Sequence, residues 1–391
     1  MKHIFLALIA AVTLTCQAST GLTVSVKGSA MRQAVEMSAD SVLNFLGSKY
    51  CYVADSKGRE IPSQITHDGL LIFQPEVSSY NARYRILPSR TPRSYAKLTS
   101  GRPYPERADD IAWENELVGF RIYGPGTQKK NERAYGYDIF FKHHTPEQIL
   151  EKLYAPETSA ATWVIVDSLR AISDQKAEDY IKTFSYHIDH GLGMDCYAVG
   201  PTLGAGATAP LVNDSINYSW CYDKAEVLDN GPLRFTVLLT FAPRPVGADS
   251  AVIEHRLISL DAGSHLNHAR VWYEGLTAPV EIVTGFPLRD SSAPVSSDTV
   301  IAYADPTQGP DNGKALLGVV SSTPFTSTEI REKHILGHSI VNPGEVYDYY
   351  WGFVWSREPI DCKKADMKSW TAYLNAFSSA LHNPPKIRIK K

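Results

Sequence analysis

The amino-acid sequence predicts an all-β protein, a large antiparallel β-sandwich with one helix near its C-terminus. Three observations lead to this prediction. Short runs of alternating, β-branched or aromatic residues, bounded by turn residues, recur along most of the 391-residue chain. The 21 tyrosines and 7 tryptophans suit strands better than helices. No strand–helix–strand alternation is visible, which argues against a doubly wound parallel sheet.

Residues 1–19 predict a secretory signal peptide. Lys2 and His3 precede an apolar run, Ile4–Leu14, that small residues close. This run is shorter than the ~18 apolar residues of a membrane span, and no later segment is long enough. We therefore expect an exported protein without a stable membrane span, with the periplasm as its location.

Two segments predict antiparallel hairpins. In VLDNGPLRFTV, Asn230 and Gly231 lie between two β-rich runs, which is the strongest short hairpin signal. The segment ISLDAGSHLNHARVWY predicts a second hairpin with a longer turn. WVIV, residues 163–166, is another of the β-rich runs and is expected to form a strand.

Helical patterns are scarce. Thr145-Pro146 predicts the start of a short helix that ends near Leu153, and residues 364–381 predict a terminal helix with one aromatic and apolar face. No internal repeat or low-complexity linker is visible, so residues 20–391 are expected to form a single β-sandwich domain. A division into two domains near residues 145–180 is the alternative.

The composition is that of an ordinary globular protein. Hydrophobic residues make up 43% of the chain, and 39 basic against 42 acidic residues give a formal charge of −3. This balance lacks the basic excess of nucleic-acid-binding domains, so nucleic acid is excluded as a partner. The cysteines after the signal peptide show no zinc-type spacing, and Cys196 with Cys221 either forms a disulfide or stays reduced.

Residues 81–107 form a basic segment, in which seven arginine and lysine side chains accompany the single acid Glu106. Arginine binds carboxylate or sulfate through two parallel hydrogen bonds. The segment is therefore either a solvated loop or part of a site for an anionic ligand. We assign Arg107 to substrate binding and Arg121, further along the chain, to catalysis.

The stretches RADDIAWENELVGFRIYGPG and VYDYYWGFVWS supply candidate sugar-binding residues. Trp113, Glu116 and Tyr123 lie in the first stretch, and Tyr350 and Trp351 lie in the second. Aromatic faces stack on sugar rings, and carboxylates bind sugar hydroxyls. A plain edge strand is the alternative for the first stretch, and core packing is the alternative for the second.

The segment YHIDHGLGMDCY crowds titratable groups into twelve positions. A histidine whose tautomer is held by Asp189 or Asp195 suits general acid–base catalysis. We therefore assign catalytic roles to His187, His190 and Tyr197, and substrate binding to Asp195. A metal site and structural packing are the alternatives for the two histidines. No cofactor is required, although a divalent cation is compatible with these residues.

Gly200, Gly204 and Gly206 follow directly, in AVGPTLGAGATAPL. The segment lacks the lysine and the following helix of a phosphate loop, so nucleotide binding is not predicted. Glycines here instead indicate a close approach of the backbone to a ligand or a neighbouring strand.

Together, YHIDHGLGMDCYAVGPTLGAGATA, VLDNGPLRFTV, YADPTQGPDNGK and YYWGFVWS resemble domain-of-unknown-function family 4861, exported proteins of polysaccharide-utilising bacteria. The resemblance covers nearly all of the chain after the signal peptide. It implies carbohydrate metabolism and, through one branch of the family, an oligosaccharide dehydratase that acts on uronate-ended fragments of ulvan. The expected sandwich resembles the supersandwich of sugar mutarotases. No catalytic residues are carried over from the family.

The expected activity is that of a carbon–oxygen lyase which removes water from a terminal uronic acid and leaves a 4,5-unsaturated sugar. This chemistry needs a cation at the carboxylate, a base at C5 and an acid at the C4 hydroxyl. The expected partner is an anionic oligosaccharide. The alternatives are a polysaccharide lyase, a glycoside hydrolase that pairs Glu114 or Glu116 with Asp195, and a non-catalytic glycan-binding protein.

Overall fold

The computed structural model describes residues 21–27, 34–75, 81–384 and 386–390. The predicted signal peptide lies outside these residues. The first strands are β1 Leu22–Lys27, β2 Val35–Ser38, β3 Tyr50–Ala54, β4 Glu60–Ile61, β5 Ser63–Ile65, β6 Leu70–Phe73 and β7 Asn81–Ser89. The next are β8 Thr99–Tyr104, β9 Asp110–Asn115, β10 Gly119–Ile122, β11 Asp138–Lys142, β12 Gly193–Met194, β13 Thr208–Val212 and β14 Ser215–Ile216.

The remaining strands follow in chain order. They are β15 Tyr222–Asn230, β16 Arg234–Phe241, β17 Arg244–Val246, β18 Asp249–Asp261, β19 Leu266–Glu274, β20 Val280–Pro287, β21 Val295–Ser296, β22 Val300–Asp305, β23 Ala315–Ser321, β24 Ser327–Arg331, β25 His334–Val341, β26 Tyr347–Trp355, β27 Pro359–Ile360, β28 Lys363–Lys364 and β29 Lys386–Lys390. The helices are α1 Ala39–Leu46, α2 Pro125–Lys129, α3 Leu150–Thr158, α4 Ala160–Arg170, α5 Asp174–Lys182 and α6 Met367–His382.

The main body is a sandwich of antiparallel sheets, as predicted. One layer is a nine-stranded sheet in the order β15-β16-β18-β19-β26-β23-β22-β21, with β17 paired to β18. The facing layer consists of two five-stranded sheets, β12-β11-β10-β9-β8 and β14-β13-β20-β25-β24. Large aromatic rings fill the space between the layers, and the Tyr137 ring stacks on Trp351 with 3.9 Å between centroids. Burial of such rings is a main source of the stability of this fold.

An isolated parallel bridge between Tyr137 and Gly204 joins the segments that lead into β11 and β13, which belong to the two five-stranded sheets. Gly204 adopts a φ of +59°, and a Cβ atom there would collide with the carbonyl oxygen of Tyr137. Only glycine permits this backbone approach without strain. The predicted close approach at this glycine is confirmed.

Both predicted hairpins are present. β15 and β16 pair antiparallel up to Asn230 and Phe235, and the turn between them begins at Gly231, whose backbone N–H donates to the Arg234 carbonyl. β18 and β19 pair up to Leu260 and Asn267, across the longer turn. Local turn chemistry and strand alternation are enough to specify such connections.

The terminal helix is also confirmed. α6 begins after Asp366, whose carboxylate accepts a hydrogen bond from the Ser369 backbone in a capping box. Trp370 and Leu374 are fully buried against the outer face of the nine-stranded sheet, and the Trp370 indole donates to the Leu317 carbonyl at 3.0 Å.

The WVIV prediction is wrong, because residues 163–166 lie in helix α4 and not in a strand. Within this run only Val166 is buried, while Val164 and Ile165 are exposed. Burial of one face suits a surface helix, and a run of four apolar residues is too short to distinguish helix from strand. The short helix predicted from Thr145-Pro146 begins later, at Leu150.

The N-terminal strands enclose a smaller core of their own, which includes Val24, Val35, Phe73 and Ile86. The single-domain organisation stays a prediction. The cysteines that the structure describes are all free, so Cys196 and Cys221 form no disulfide. Throughout the described ranges, no helix is both long and apolar enough to cross a membrane.

Candidate functional site

A cavity of about 350 Å³ brings together six of the residues singled out in the sequence. We call it the arginine pocket. The predicted residues that line it are Arg107, Arg121, Tyr123, His187, Asp195 and Tyr197. The other charged or amide side chains in its lining are Glu132, Arg133 and Gln308.

Arg121 lies at the base of the pocket and is held by three neighbouring strands. It sits on β10 directly opposite Asp138 of β11, and β11 pairs with β12, which leads into Asp195. The Arg121 guanidinium donates to Asp138 through Nε at 2.7 Å and to Asp195 and the Tyr123 hydroxyl through Nη2, both at 2.8 Å. Cross-strand register and strand order therefore assemble this cluster from segments far apart in the sequence.

Three buried polar atoms of the pocket have no hydrogen-bond partner among the described residues. They are Nη1 of Arg121, Oδ1 of Asp195 and the hydroxyl oxygen of Tyr197. An unsatisfied buried polar group costs about 1–3 kcal/mol, and proteins retain few of them. The three residues that carry these atoms all line the arginine pocket, so a polar ligand bound there would lie close to them.

His187 lies beside this cluster with its side chain 55% exposed. Its Nδ1 is 2.9 Å from the backbone carbonyl oxygen of Asp195, so Nδ1 carries the proton and donates it. The neutral ring then presents Nε2 as a proton acceptor. Asp189 holds a different histidine, since its carboxylate lies 2.9 Å from Nε2 of His143. Of the two aspartates considered from sequence, Asp195 is therefore the neighbour of His187.

The structure separates the two predicted histidines. His190 is exposed and is not part of the described lining of the arginine pocket. Its catalytic assignment therefore has no support from the geometry, whereas His187 keeps its candidacy.

Burial shifts the pKa values of titratable side chains in and beside the pocket. It raises the pKa of Tyr197 and of Tyr123 well above the ordinary value, so both phenols stay protonated at neutral pH. Burial also raises the pKa of Asp138 to about 6, although the Arg121 charge opposes this shift. Neither phenol can therefore act as a base, and both keep a hydroxyl proton for a hydrogen bond.

Arg107 reaches the pocket from the turn between β8 and β9. Its Nε donates to the Tyr186 hydroxyl at 3.1 Å, and its Nη1 lies 3.6 Å from Asp110. Burial raises the pKa of Asp110 to about 6, which the charges of Arg121 and Arg107 oppose. Arg107 is the one member of the basic segment in this lining, and Arg102 instead pairs with Glu151 on the surface.

The two predicted tryptophans belong to the core and not to a sugar site. Trp113 and Trp351 are 0% exposed, so neither ring offers a face to a ligand. The Trp113 indole donates to Asn267 at 2.8 Å. Tyr350 lines a different cleft, on the opposite face of the nine-stranded sheet. The substrate-binding assignments of these three residues to the candidate site are therefore corrected.

The acidic residues near Trp113 are also placed elsewhere. Glu114 is buried and binds Lys142 at 2.6 Å together with the backbone amides that open helix α3. Glu116 lies between β9 and β10, outside the described pocket lining. Glu114 therefore does not form a hydrolytic pair with Asp195, because its carboxylate is engaged in a structural ion pair with Lys142.

Several residues in or beside the pocket were missed from the sequence, among them Asp138, which accepts from Arg121 but does not itself line the pocket. Asp138 had a signal, since it is an isolated acid in the apolar run YGYDIFF. Glu132, Arg133 and Gln308 lie in irregular segments, where no periodicity indicates direction. No group of three or more His, Cys, Asp or Glu side chains is arranged to hold a metal ion within the described ranges.

The fold and pocket together define a β-sandwich protein with a pocket that the buried Arg121 lines. The chain belongs to the family described as Domain of unknown function (DUF4861), whose model matches residues 27–387. This confirms the family resemblance. A relative, Uncharacterized protein P7 of Formosa agariphila, is 27% identical over 336 residues, which cover 82% of this chain and 78% of that protein.

Two solved structures from Enterococcus faecalis are similar in fold. One is an alpha-mannosidase from strain V583, with 8% identity, a TM-score of 0.49 and coverage of 95% of this chain and 46% of that one. The other is a protein in the Glycosyl Hydrolase Family 38, with 8% identity, a TM-score of 0.50 and coverage of 96% and 48%. The chain spans about half the length of these structures, and the likeness concerns the fold alone.

Proposed function

We propose that this protein is a carbohydrate-active enzyme, an exported oligosaccharide dehydratase that acts on a uronic acid at the non-reducing end of its substrate. A base takes the proton from C5, the freed electron pair forms the C4=C5 double bond, and the C4 hydroxyl leaves as water after it receives a proton. The product is the oligosaccharide minus one water. The leader predicted from the sequence makes the periplasm the proposed location.

One observation carries this proposal: an arginine with a free donor, a histidine and a protonated tyrosine line the same cavity. Elimination next to a carboxylate needs these three kinds of group. The carboxylate must be neutralised so that C5 becomes acidic, and the charge that grows on it during proton loss must be stabilised.

The roles follow from the geometry. Arg121 offers its unpartnered Nη1 to the substrate carboxylate, and Arg107 and Arg133 add positive charge in the same lining. His187 has its Nδ1 proton committed to the Asp195 carbonyl, so Nε2 is the base. Tyr197 stays protonated at neutral pH and is the acid at the leaving hydroxyl.

The size of the pocket supports action on a chain end. A volume of about 350 Å³ is near the lower end of small-molecule sites, which span roughly 300–1,000 Å³. It suits one sugar ring rather than several. A terminal uronate can enter such a pocket while the rest of the oligosaccharide stays outside.

Hydrolysis is the second candidate, because Glu132 and Asp195 both line the pocket. Two carboxylates on opposite sides of a glycosidic bond are the requirement for that chemistry. Asp195 already accepts a hydrogen bond from the buried Arg121 guanidinium, and this commitment leaves it unsuited to the acid role.

The test uses an oligosaccharide with a saturated uronic acid at its non-reducing end. A dehydratase raises the ultraviolet absorbance, because the new double bond is conjugated with the carboxylate, and mass spectrometry then shows loss of one water without shortening. A lyase shortens the chain, a hydrolase releases a saturated sugar, and a binding protein changes neither signal. Any of these three results overturns the proposal.

A further inference from the structure

A second cleft, of about 470 Å³, lies on the face of the nine-stranded sheet that points away from the sandwich core. We call it the sheet-face cleft. On β18, Ile258 and Leu260 point into the core, so Ser259 and Asp261 face this cleft. We propose that the sheet-face cleft is a second binding site and that its ligand is a neutral sugar residue.

A buried hydroxyl without a partner is the first observation. Thr236 is 2% exposed and lines the cleft, and its Oγ1 has no hydrogen-bond partner among the residues that the structure describes. It lies on β16 between Phe235 and Val237, which are both buried in the core. Strand alternation therefore places the Thr236 side chain on the cleft side of the sheet, where a ligand hydroxyl would supply the missing hydrogen-bond partner.

Two histidine–aspartate pairs are the second observation. Nδ1 of His67 is 2.7 Å from Asp229, and Nε2 of His268 is 2.9 Å from Asp348. Each carboxylate holds one ring nitrogen, and the other ring nitrogen has no partner within the described ranges. A sugar hydroxyl both donates and accepts, so it can bind either nitrogen in either protonation state.

The charges of the cleft disfavour an acidic ligand, although Arg270 is only loosely paired, with its Nε 3.9 Å from Asp348. Arg234 is occupied by Asp261, at 2.6 and 2.8 Å, and by Glu36 at 2.7 Å. Four carboxylates line the cleft against two guanidinium groups; the carboxylates belong to Glu36, Asp68, Asp229 and Asp261. An anionic sugar would be repelled here, whereas hydroxyl groups find many acceptors. This is the opposite of the arginine pocket, so the two sites select different sugars.

The test measures binding of neutral methyl glycosides of glucose, xylose and rhamnose to the full chain by titration calorimetry, with methyl glucuronate for comparison. At least one neutral glycoside should bind, and methyl glucuronate should not compete with it. Thr236→Val keeps the shape of the side chain and removes only its hydroxyl, so affinity should fall about tenfold while the melting temperature is kept. His268→Ala should weaken binding by a similar factor.

His255→Ala is the matched control. His268 stacks on Tyr350 and pairs with Asp348. In the same way His255 stacks on Trp272 and pairs with Glu274, but His255 is not in the described lining of the cleft. Its removal should leave affinity unchanged. Absence of binding by every neutral glycoside, equal binding of methyl glucuronate in this cleft, or unchanged affinity in both the Thr236 and His268 variants would overturn the proposal. Turnover at the arginine pocket is a separate signal that should be retained in Thr236→Val.

Discussion

Replacing Arg121 is the most direct test of the buried charge cluster that it forms with Asp138 and Asp195. Asp138 and Asp195 are 0% and 3% exposed, and Arg121 supplies hydrogen bonds to both. Arg121→Ala leaves two buried carboxylates without their cation. Removing one partner of a buried ion pair typically costs about 3–5 kcal/mol, and water does not screen these charges. We expect the free energy of unfolding at pH 7 to fall by about that amount.

The pH dependence of this stability loss distinguishes its two possible causes, the loss of charge compensation and the loss of packing. In the variant, the pKa of Asp138, which burial already raises to about 6 in the wild type, should rise further, because the Arg121 charge no longer opposes that shift. The folded variant then binds protons more readily than the unfolded chain, so its stability should increase as the pH falls. The difference between variant and wild type should therefore be smaller at pH 5 than at pH 7.

The assay is urea denaturation followed by tryptophan fluorescence at both pH values. Arg102→Ala is the control, because Arg102 pairs with Glu106 and Glu151 at the surface with 39% of its side chain exposed. Exposed pairs contribute less than about 1 kcal/mol. The reasoning is refuted if Arg121→Ala is as stable as Arg102→Ala, or if its loss of stability is the same at pH 5 and pH 7.

Three further predictions concern neighbouring groups. His187→Ala should abolish dehydration with a nearly unchanged melting temperature, while His190→Ala should retain activity; equal loss of turnover in both would contradict the assignment of the base. Tyr197→Phe removes a buried hydroxyl without a described partner, so thermal stability should be kept while turnover falls about 10²–10⁴-fold, and full activity would exclude Tyr197 as the acid. Burial raises the pKa of Asp110 from 3.8 to about 6. As the pH falls from 6 to 4, the Asp110 carboxylate is therefore protonated in the folded protein before it is protonated in the unfolded chain, and the contribution of Asp110 to stability should increase. Asp110→Asn should therefore be more stable than wild type at pH 7, with the difference shrinking toward pH 4, and denaturant titrations at several pH values will show whether it does.

Much of the fold was predictable because its signals are local. The Asn230-Gly231 turn, the alternation on both sides of it and the apolar face of the terminal helix each depend on residues close in sequence. The strand predicted for WVIV was wrong because local signals were too few there. Four apolar residues do not show how the segment packs, and packing is what makes it part of a helix.

The sequence by itself determined which residue types this protein has available for chemistry: arginines at the end of the basic segment and after it, and histidine, aspartate and tyrosine in one short stretch. Six of the predicted residues do converge in the arginine pocket. Their convergence was decided by tertiary structure, because the pairing of β10 with β11 and of β11 with β12 brings Arg121, Asp138 and Asp195 together. The fate of Trp113, Trp351 and Tyr350 was also decided there. Alternation along a strand separates two faces, but only the packing of one sheet on another makes one face core and leaves the other as a cleft.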